Sequence, residues 1–334
     1  MPALGNFVTS VTSEKFFPAV VDQVYDGIPL FARLRSRARP WTTGYRLNIP
    51  VEVTARTQGG SYSGFDTFST AQENVRQNFT VNPSEYYWNV SISGIQKAVN
   101  KGAEAVIDLI AAEFDGASKA LRNTMAEDLF TDGTGNSSKD VLGLVAQVDD
   151  ATNVVTFQGL SRNTYTNLRS TLTAQSGALT FANLAADYDA AQIGSDHPTL
   201  GVTTPAVWSL IERLITPTVN VDIGRTPSQL MAVGQGEGGV ALNLGVNAIH
   251  FRGVPIIADD NCTSGNLYLL NETHLFLYEI DHDPMFVSGS KEGFAWTGWK
   301  KSINQNAITS QILWAGQLVG DSPRTMSRRT GVTS

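Results

Sequence analysis

The chain has 334 residues, 42% of them hydrophobic and only 16% charged, against roughly a quarter charged in soluble domains, and it is long enough for about two domains. A formal net charge of −7 excludes a global field that would draw it to nucleic acid or an anionic membrane. A single cysteine, Cys262, excludes an intrachain disulfide and any multi-cysteine metal site. The opening residues, MPALGNFVTS, lack the basic and apolar regions of a signal peptide, and no apolar run approaches the ~18 residues that span a bilayer. The expectation is a soluble protein of a reducing compartment, its sparsely charged surface covered by neighbouring copies.

Residues 1–43 read as an arm. One short apolar segment, Phe16 to Leu30, is broken by Pro18 and Pro29 and leads into FARLRSRARPW. Arg33, Arg35, Arg37 and Arg39 fall at every second position, so an extended chain would carry all four on one face. From Gly44 the two-residue period is clear: Tyr45, Leu47, Ile49, Val51 and Val53 alternate with polar residues or proline. A Gly- and Ser-rich tip follows, QGGSYSGFDTFST, and the alternation returns in NFTVNPSEYYWNVSIS, where Tyr86, Trp88, Val90 and Ile92 share a face. Two alternating runs around a glycine tip predict an antiparallel ribbon. Such a ribbon is marginal alone, so its apolar face needs a partner.

Ile95, Val99, Val106, Ile110, Phe114, Leu121, Met125 and Leu129 then keep helical spacing, and Gly133 and Gly135 end the run. The prediction is one rod from Ser93 to Asp132, roughly 60 Å long. Gly102 and Gly116 weaken it by about 1 kcal/mol each relative to Ala and mark a bend or a close backbone approach. Beyond it, helical patterns (SRNTYTNLRSTLTAQ, FANLAADYDAAQI, TPAVWSLIERLI) alternate with short strands (TLGVTT, VPIIAD, NLYLLN). Thr204 and Pro205 make a good helix start. This reads as an α/β domain, followed by strand-rich sequence and a basic tail, SPRTMSRRTGVTS.

Several segments imitate chemical sites. Asp259 and Asp260 end an apolar strand, but adjacent residues in a strand point to opposite faces and share no proton, and ADDNCTSG is rich in turn formers. GQGEGG, Gly234 to Gly239, satisfies G-x-G-x-x-G without the strand before it or the helix after it that a dinucleotide site needs. Glu279, Asp281, His282 and Asp283 cluster in YEIDHDP, yet His197, His250 and His274 stand at no metal-ligand spacing. Cys262 has no base placed by sequence and reads as a small buried side chain. No catalytic residue, cofactor or metal is assigned. The arginine comb fits phosphate contact and ion pairing with a neighbouring subunit about equally.

The order of pieces (arm, long ribbon, very long helix, α/β domain, returning strands) resembles the major capsid proteins of tailed bacteriophages, the HK-type fold shared with encapsulins and the herpesvirus capsid floor. RGVPIIADDNC looks like that family's late axial-domain strand, and GWKKSINQNAITSQILWAGQLVGDSPRTMSRRTGV like its C-terminal peripheral strands. The resemblance implies an α+β fold with an N-terminal arm (1–43), an extended loop (44–92), a peripheral domain with a spine helix (93–150), an axial domain (151–275), and peripheral return strands with the tail (276–334). It implies a non-enzymatic shell protein that assembles through hexamers and pentamers around phage double-stranded DNA. Its partners would be copies of itself, a portal, a separate scaffolding protein and decoration proteins. Contact with DNA would be weak and non-specific, with no membrane partner. Its location would be the virion, after assembly in the host cytoplasm. The residues expected to face a neighbour or the genome are Arg33, Arg35, Arg37, Arg39, Tyr62, Phe65, Phe68, Tyr86 and Trp88.

Two departures from the family follow. Residues 16–96 contain no lysine, so the extended loop cannot supply the amine of the isopeptide crosslink known in the founding member. The chain also enters the arm almost at once, which implies a scaffolding segment already removed or supplied separately. An encapsulin-type shell is the nearest rival reading. A nucleotide-dependent oxidoreductase is a remote one, and an all-β jelly roll has no place for the helix.

Overall fold

The computed structural model describes residues 28–42, 44–99, 103–215, 248–283, 289–291 and 293–333. Its first element is a helix, α1 (Pro29–Arg35), which corrects the expected extended comb of arginines. Pro29 sits at the first helical position, where its missing N–H costs nothing. Leu30, Phe31 and Leu34, at helical spacing, are each 2% exposed or less. Burying that stripe outweighs the alternation of the arginines between them. Only Arg39 and Pro40 (β1) are extended.

Strands β2 (Leu47–Glu52) and β3 (Arg76–Val81) form the predicted antiparallel ribbon, with Leu47 opposite Val81 and Glu52 opposite Arg76. The second alternating run is not one strand, however. It breaks at Asn82 and Pro83, and β4 (Ser84–Ser93) leaves for another sheet. Proline has no N–H to give a ladder, so it ends the run.

Two helices follow, α2 (Gly94–Val99) and α3 (Ala103–Asp128). Gly102, the expected bend, lies outside the described residues, and Gly116 opens outward with nothing against it. The 26 residues of α3 make a rod of about 39 Å. Phe114, Leu121 and Met125 are buried along one side, as their spacing predicts. The helix stops at Asp128 because the chain doubles back across its end. A Cβ on Gly143 would lie 2.4 Å from the Asp128 carbonyl oxygen and 2.6 Å from that of Thr131. Only glycine permits that approach.

The α/β part is a six-stranded sheet among the described residues, in the order β7–β17–β11–β8–β10–β9. Its strands are β7 (Thr171–Ala178), β8 (Leu200–Thr203), β9 (Ala248–Phe251), β10 (Val254–Ala258), β11 (Leu267–Leu270) and β17 (Ser327–Thr333). Helices α4 (Phe181–Ala191) and α5 (Pro205–Ile215) cover one face. There Leu184, Tyr188, Val207 and Ile211 meet Ile256, Leu267 and Leu269. Thr180 caps α4 by accepting a hydrogen bond from the Asn183 amide. Tyr268, Val202 and Leu270, on the opposite face, enter the main core. One predicted helix is absent: Ser161 to Gln175 is a hairpin end, a single 3₁₀ turn (Thr166–Leu168) and then β7.

The second large sheet is organised by β16 (Ala307–Gly320). It pairs with β4 along all ten residues of that strand, and with β12 (Leu275–Glu279), β14 (Phe294–Trp296) and β15 (Lys300–Lys301). Strand β13 (Gly289–Lys291) pairs with β14, and β1 with β12. Trp296 and Trp314 are each 1% exposed beneath it. The returning strands are thus where the sequence places them, with one difference. The basic tail is not a peripheral end: β17 lies between β7 and β11 in the six-stranded sheet. There Arg329, on the α4 face, pairs with Asp187 through two contacts, Nε–Oδ2 at 2.5 Å and Nη2–Oδ1 at 2.7 Å. Its Nη1 donates to Gln175 and its Nη2 also to the Asn183 carbonyl.

Both members of that pair are nearly sealed from solvent. Removing one leaves an uncompensated buried charge. Arg329→Met is therefore expected to lower unfolding free energy by about 3–5 kcal/mol. Arg329→Met combined with Asp187→Leu should recover most of that loss. Urea denaturation of the single and double variants measures both.

Candidate functional site

The extended loop is the most exposed apolar feature of the described chain. Between β2 and β3, residues 54–74 are nearly all exposed and form no strand. Glu73 closes the neck, accepting from the Thr57 hydroxyl at 2.6 Å and from the Thr57 and Gln58 amides at 2.9 and 3.0 Å. The hydroxyl first, then the Thr57 amide, holds its carboxyl below the usual range. At the tip, Phe65 is fully open to solvent, and Tyr62 and Phe68 are each 68% exposed. Tyr62 and Phe68 pack edge to face with centroids 5.0 Å apart. Three aromatics held outward on a tethered loop have no partner in their own core.

The root of the loop is different, and the partner its apolar face needs is in its own chain. The ribbon's apolar face does not wait for a sister molecule along its whole length. Val53 and Phe79 pack on Phe157 and Leu168 of the same chain, and the Phe79 and Phe157 rings meet edge to face at 5.4 Å. The clasp is the hairpin β5 (Thr156–Phe157) and β6 (Leu160–Ser161). It turns about Gln158 and Gly159, both at positive φ (48° and 87°). Gln158 accepts from the Thr80 amide, and Asn167 donates to the Val53 carbonyl. Arg162 fixes the clasp: fully buried, it donates to the carbonyls of Ala146, Gln147, Val154 and Leu168. Burial lowers its pKa to about 10, partly offset by Asp149, so it stays cationic at neutral pH. Sequence reasoning missed this clasp because Gln-Gly is not among the Asn-Gly, Asp-Gly and Gly-Gly pairs that mark a two-residue hairpin, and Gly159 is the one turn signal between Phe157 and Leu160.

The other expected contact residues are half-buried (Arg33, Arg35, Tyr86, Trp88) or exposed (Arg37, Arg39), and several have partners within their own chain. Arg33 ion-pairs with the buried Glu272 at 2.5 Å, and Glu272 also accepts from Thr199. The Arg39 guanidinium lies 3.4 Å above the Phe276 ring. Arg35 is half-buried and Arg37 exposed. The four do not form one outward face. Tyr86 and Trp88 are partly buried against the core of their own chain. They stack at 5.7 Å with an 8° interplanar angle on the inner side of β4, against Trp314. The Tyr86 hydroxyl donates to Asp128 at 2.8 Å and accepts from the Val141 amide at 2.9 Å. It joins the end of α3 to the sheet.

The Asp259–Asp260 pair and Cys262 lie in structural surroundings. Asp259 and Asp260 begin the turn that ends β10: the Asn261 amide donates to Asp259 Oδ1 and the Cys262 amide to its carbonyl. Cys262 is buried in the core, which pushes its thiol pKa well up. GQGEGG lies outside the described residues. Among the described residues no group of three His, Cys, Asp or Glu could hold a metal, and no helix is long and apolar enough to cross a membrane.

No protein-family model matches the chain, and no curated protein matches it in sequence. Solved structures do match. The capsid asymmetric unit of cyanophage A-1(L) aligns at TM-score 0.67 and 18% identity, covering 92% of this chain and 93% of that one. The SrpI encapsulin of Synechococcus elongatus aligns at 0.56 and 12%, covering 91% and 87%. The capsid of Myoviridae phage XM1 aligns at 0.54 and 12%, covering 90% and 91%. The fold is the HK-type capsid fold.

The position of Tyr86 gives a sharp expectation. Tyr86→Phe should cost about 1–3 kcal/mol of unfolding free energy by stranding the Val141 amide and Asp128, and leave self-association unchanged at equal folded fraction. Thermal unfolding and sedimentation velocity on the same variant separate the two effects.

Proposed function

We propose that this chain is a major capsid protein, which assembles through hexamers and pentamers into an icosahedral shell around double-stranded phage DNA and performs no chemistry. The observation that carries the reading is an HK-type fold matched over nine-tenths of both chains, with an aromatic loop tip that its own core leaves uncovered. In a closed shell that tip docks on the next subunit, where Tyr62, Phe65 and Phe68 supply burial and the loop backbone supplies strand addition. Each contact is modest, and many repeats per subunit make the shell stable. The net charge of −7 keeps the lining from gripping the genome through its phosphates. The partners are copies of this chain, a portal, a separate scaffolding protein and decoration proteins, with DNA held weakly and no membrane. The place of the protein is the virion, reached from assembly in the host cytoplasm.

The encapsulin reading keeps a specific support, the SrpI likeness at TM-score 0.56. It differs in what the shell holds: cargo protein in place of DNA. Particles purified from their natural source decide between them. Nuclease-protected double-stranded DNA supports the capsid reading, and a packed enzyme without DNA overturns it.

Electron microscopy of the expressed chain should show pentamers, hexamers or closed shells; a monomer at every concentration would sink the proposal. Tyr62→Ser, Phe65→Ser and Phe68→Ser together should change subunit stability by no more than about 0.5 kcal/mol per substitution, as exposed positions do, yet abolish shells. A denaturing gel of assembled particles should show monomer without a covalent ladder, since residues 16–96 offer no lysine.

A further inference from the structure

A buried carboxylate with half its hydrogen-bonding capacity unused lies in the seam between α1 and the six-stranded sheet. Asp259, directly after β10, is 3% exposed. Its Oδ1 accepts from the Asn261 amide at 3.0 Å and from the Asn261 side chain at 3.4 Å. Its own amide donates to the Thr203 carbonyl at 2.8 Å. Its Oδ2 is sealed from solvent and has no hydrogen-bond partner. The groups acting on it are the neighbouring carboxylate of Asp260, the Asn261 amides and the Leu30 backbone amide in the first turn of α1, and no cation is among them. The buried Cys262 thiol also faces it. Ile28, Leu30, Phe31 and Leu34 from the α1 segment share one apolar cluster with Ile257 and Cys262, on either side of Asp259.

We propose that Asp259 is a protonation-dependent latch for the arm helix: neutral, its carboxyl lets α1 seal the seam, and ionised, it draws water in and loosens the first turn. An ionised carboxylate is costly in such surroundings when its only donors are the Asn261 groups and the Leu30 amide, whereas a neutral carboxyl tolerates them. Burial holds this carboxyl above its ordinary range, with the Asn261 groups and the Leu30 amide partly offsetting it and Asp260 reinforcing it. The sign follows from linkage. A raised folded-state pKa means stability that is complete in acid and is lost as pH rises through the raised value. The seat of the arm therefore tightens toward acid and loosens toward neutral pH.

Hydrogen exchange of residues 28–35 in the full chain, corrected for intrinsic pH dependence, tests this. Protection should fall several-fold through a transition lying above the roughly 3.9 of an ordinary aspartate. Asp259→Asn should abolish the transition. Asp260→Asn, at an exposed position, should move it to lower pH by removing a like charge. A pH-independent wild type, or the same transition in Asp259→Asn, overturns the latch. Should Asp259→Asn fail to fold, Asp260→Asn carries the test alone, and an unmoved transition then counts against the proposal.

Discussion

The pairing of β16 with β4 is the interaction on which the other parts depend. It joins Ser84–Ser93 to Ala307–Gly316 in unbroken register, so the end of the chain completes a sheet begun before its middle. Everything outward of that seam is placed by it. On the inner face of β4, Tyr86 holds the end of α3 and Trp88 lies over the tryptophan core. At Asn82 and Pro83 the chain passes from the ribbon to the sheet, and the base of the ribbon, Leu47 and Val81, packs on Val319 of β16. Even the close packing is tuned to the pairing: a Cβ on Gly316 would meet the Tyr278 carbonyl oxygen at 2.6 Å. Such non-local pairing is slow to form, because loop closure must precede the contacts that stabilise it.

The ribbon separates self-supporting structure from structure that needs a partner. Its root is finished within the subunit by Phe157, Leu168 and the buried Arg162. Its tip is not. A fixed root with an open tip suits assembly, because the root sets the direction in which the loop reaches while the aromatic end stays available. A loop loose along its whole length would pay more ordering entropy at each docking event.

Much of this was legible in the sequence because local period encodes it. Alternation at Leu47–Val53 and Tyr86–Ile92 predicted strands, the 3–4 spacing through Phe114, Leu121 and Met125 predicted the long helix, and the order of these parts pointed to the fold. The failures came where a local pattern competed with a distant partner. Arg33 to Arg39 alternate as a strand would, but Leu30, Phe31 and Leu34 are bought into the core as a helix. Thr171–Gln175 read as the end of a helix because the true partner of β7, β17, lies near the far end of the chain. Arg328 and Arg329 read only as part of a basic tail, since Asp187, which neutralises Arg329, is near only after folding. Tyr86 and Trp88 were correctly assigned to one face; that this face is their own core depends on β16.

The most direct test compares hydrogen exchange of residues 54–74 in dissociated subunits and in assembled particles. If the loop tip finds its complement on a sister molecule, its amides exchange freely in the subunit and become strongly protected only on assembly, while 76–81 at the root are protected in both. Equal protection of the tip in the two states would contradict the account.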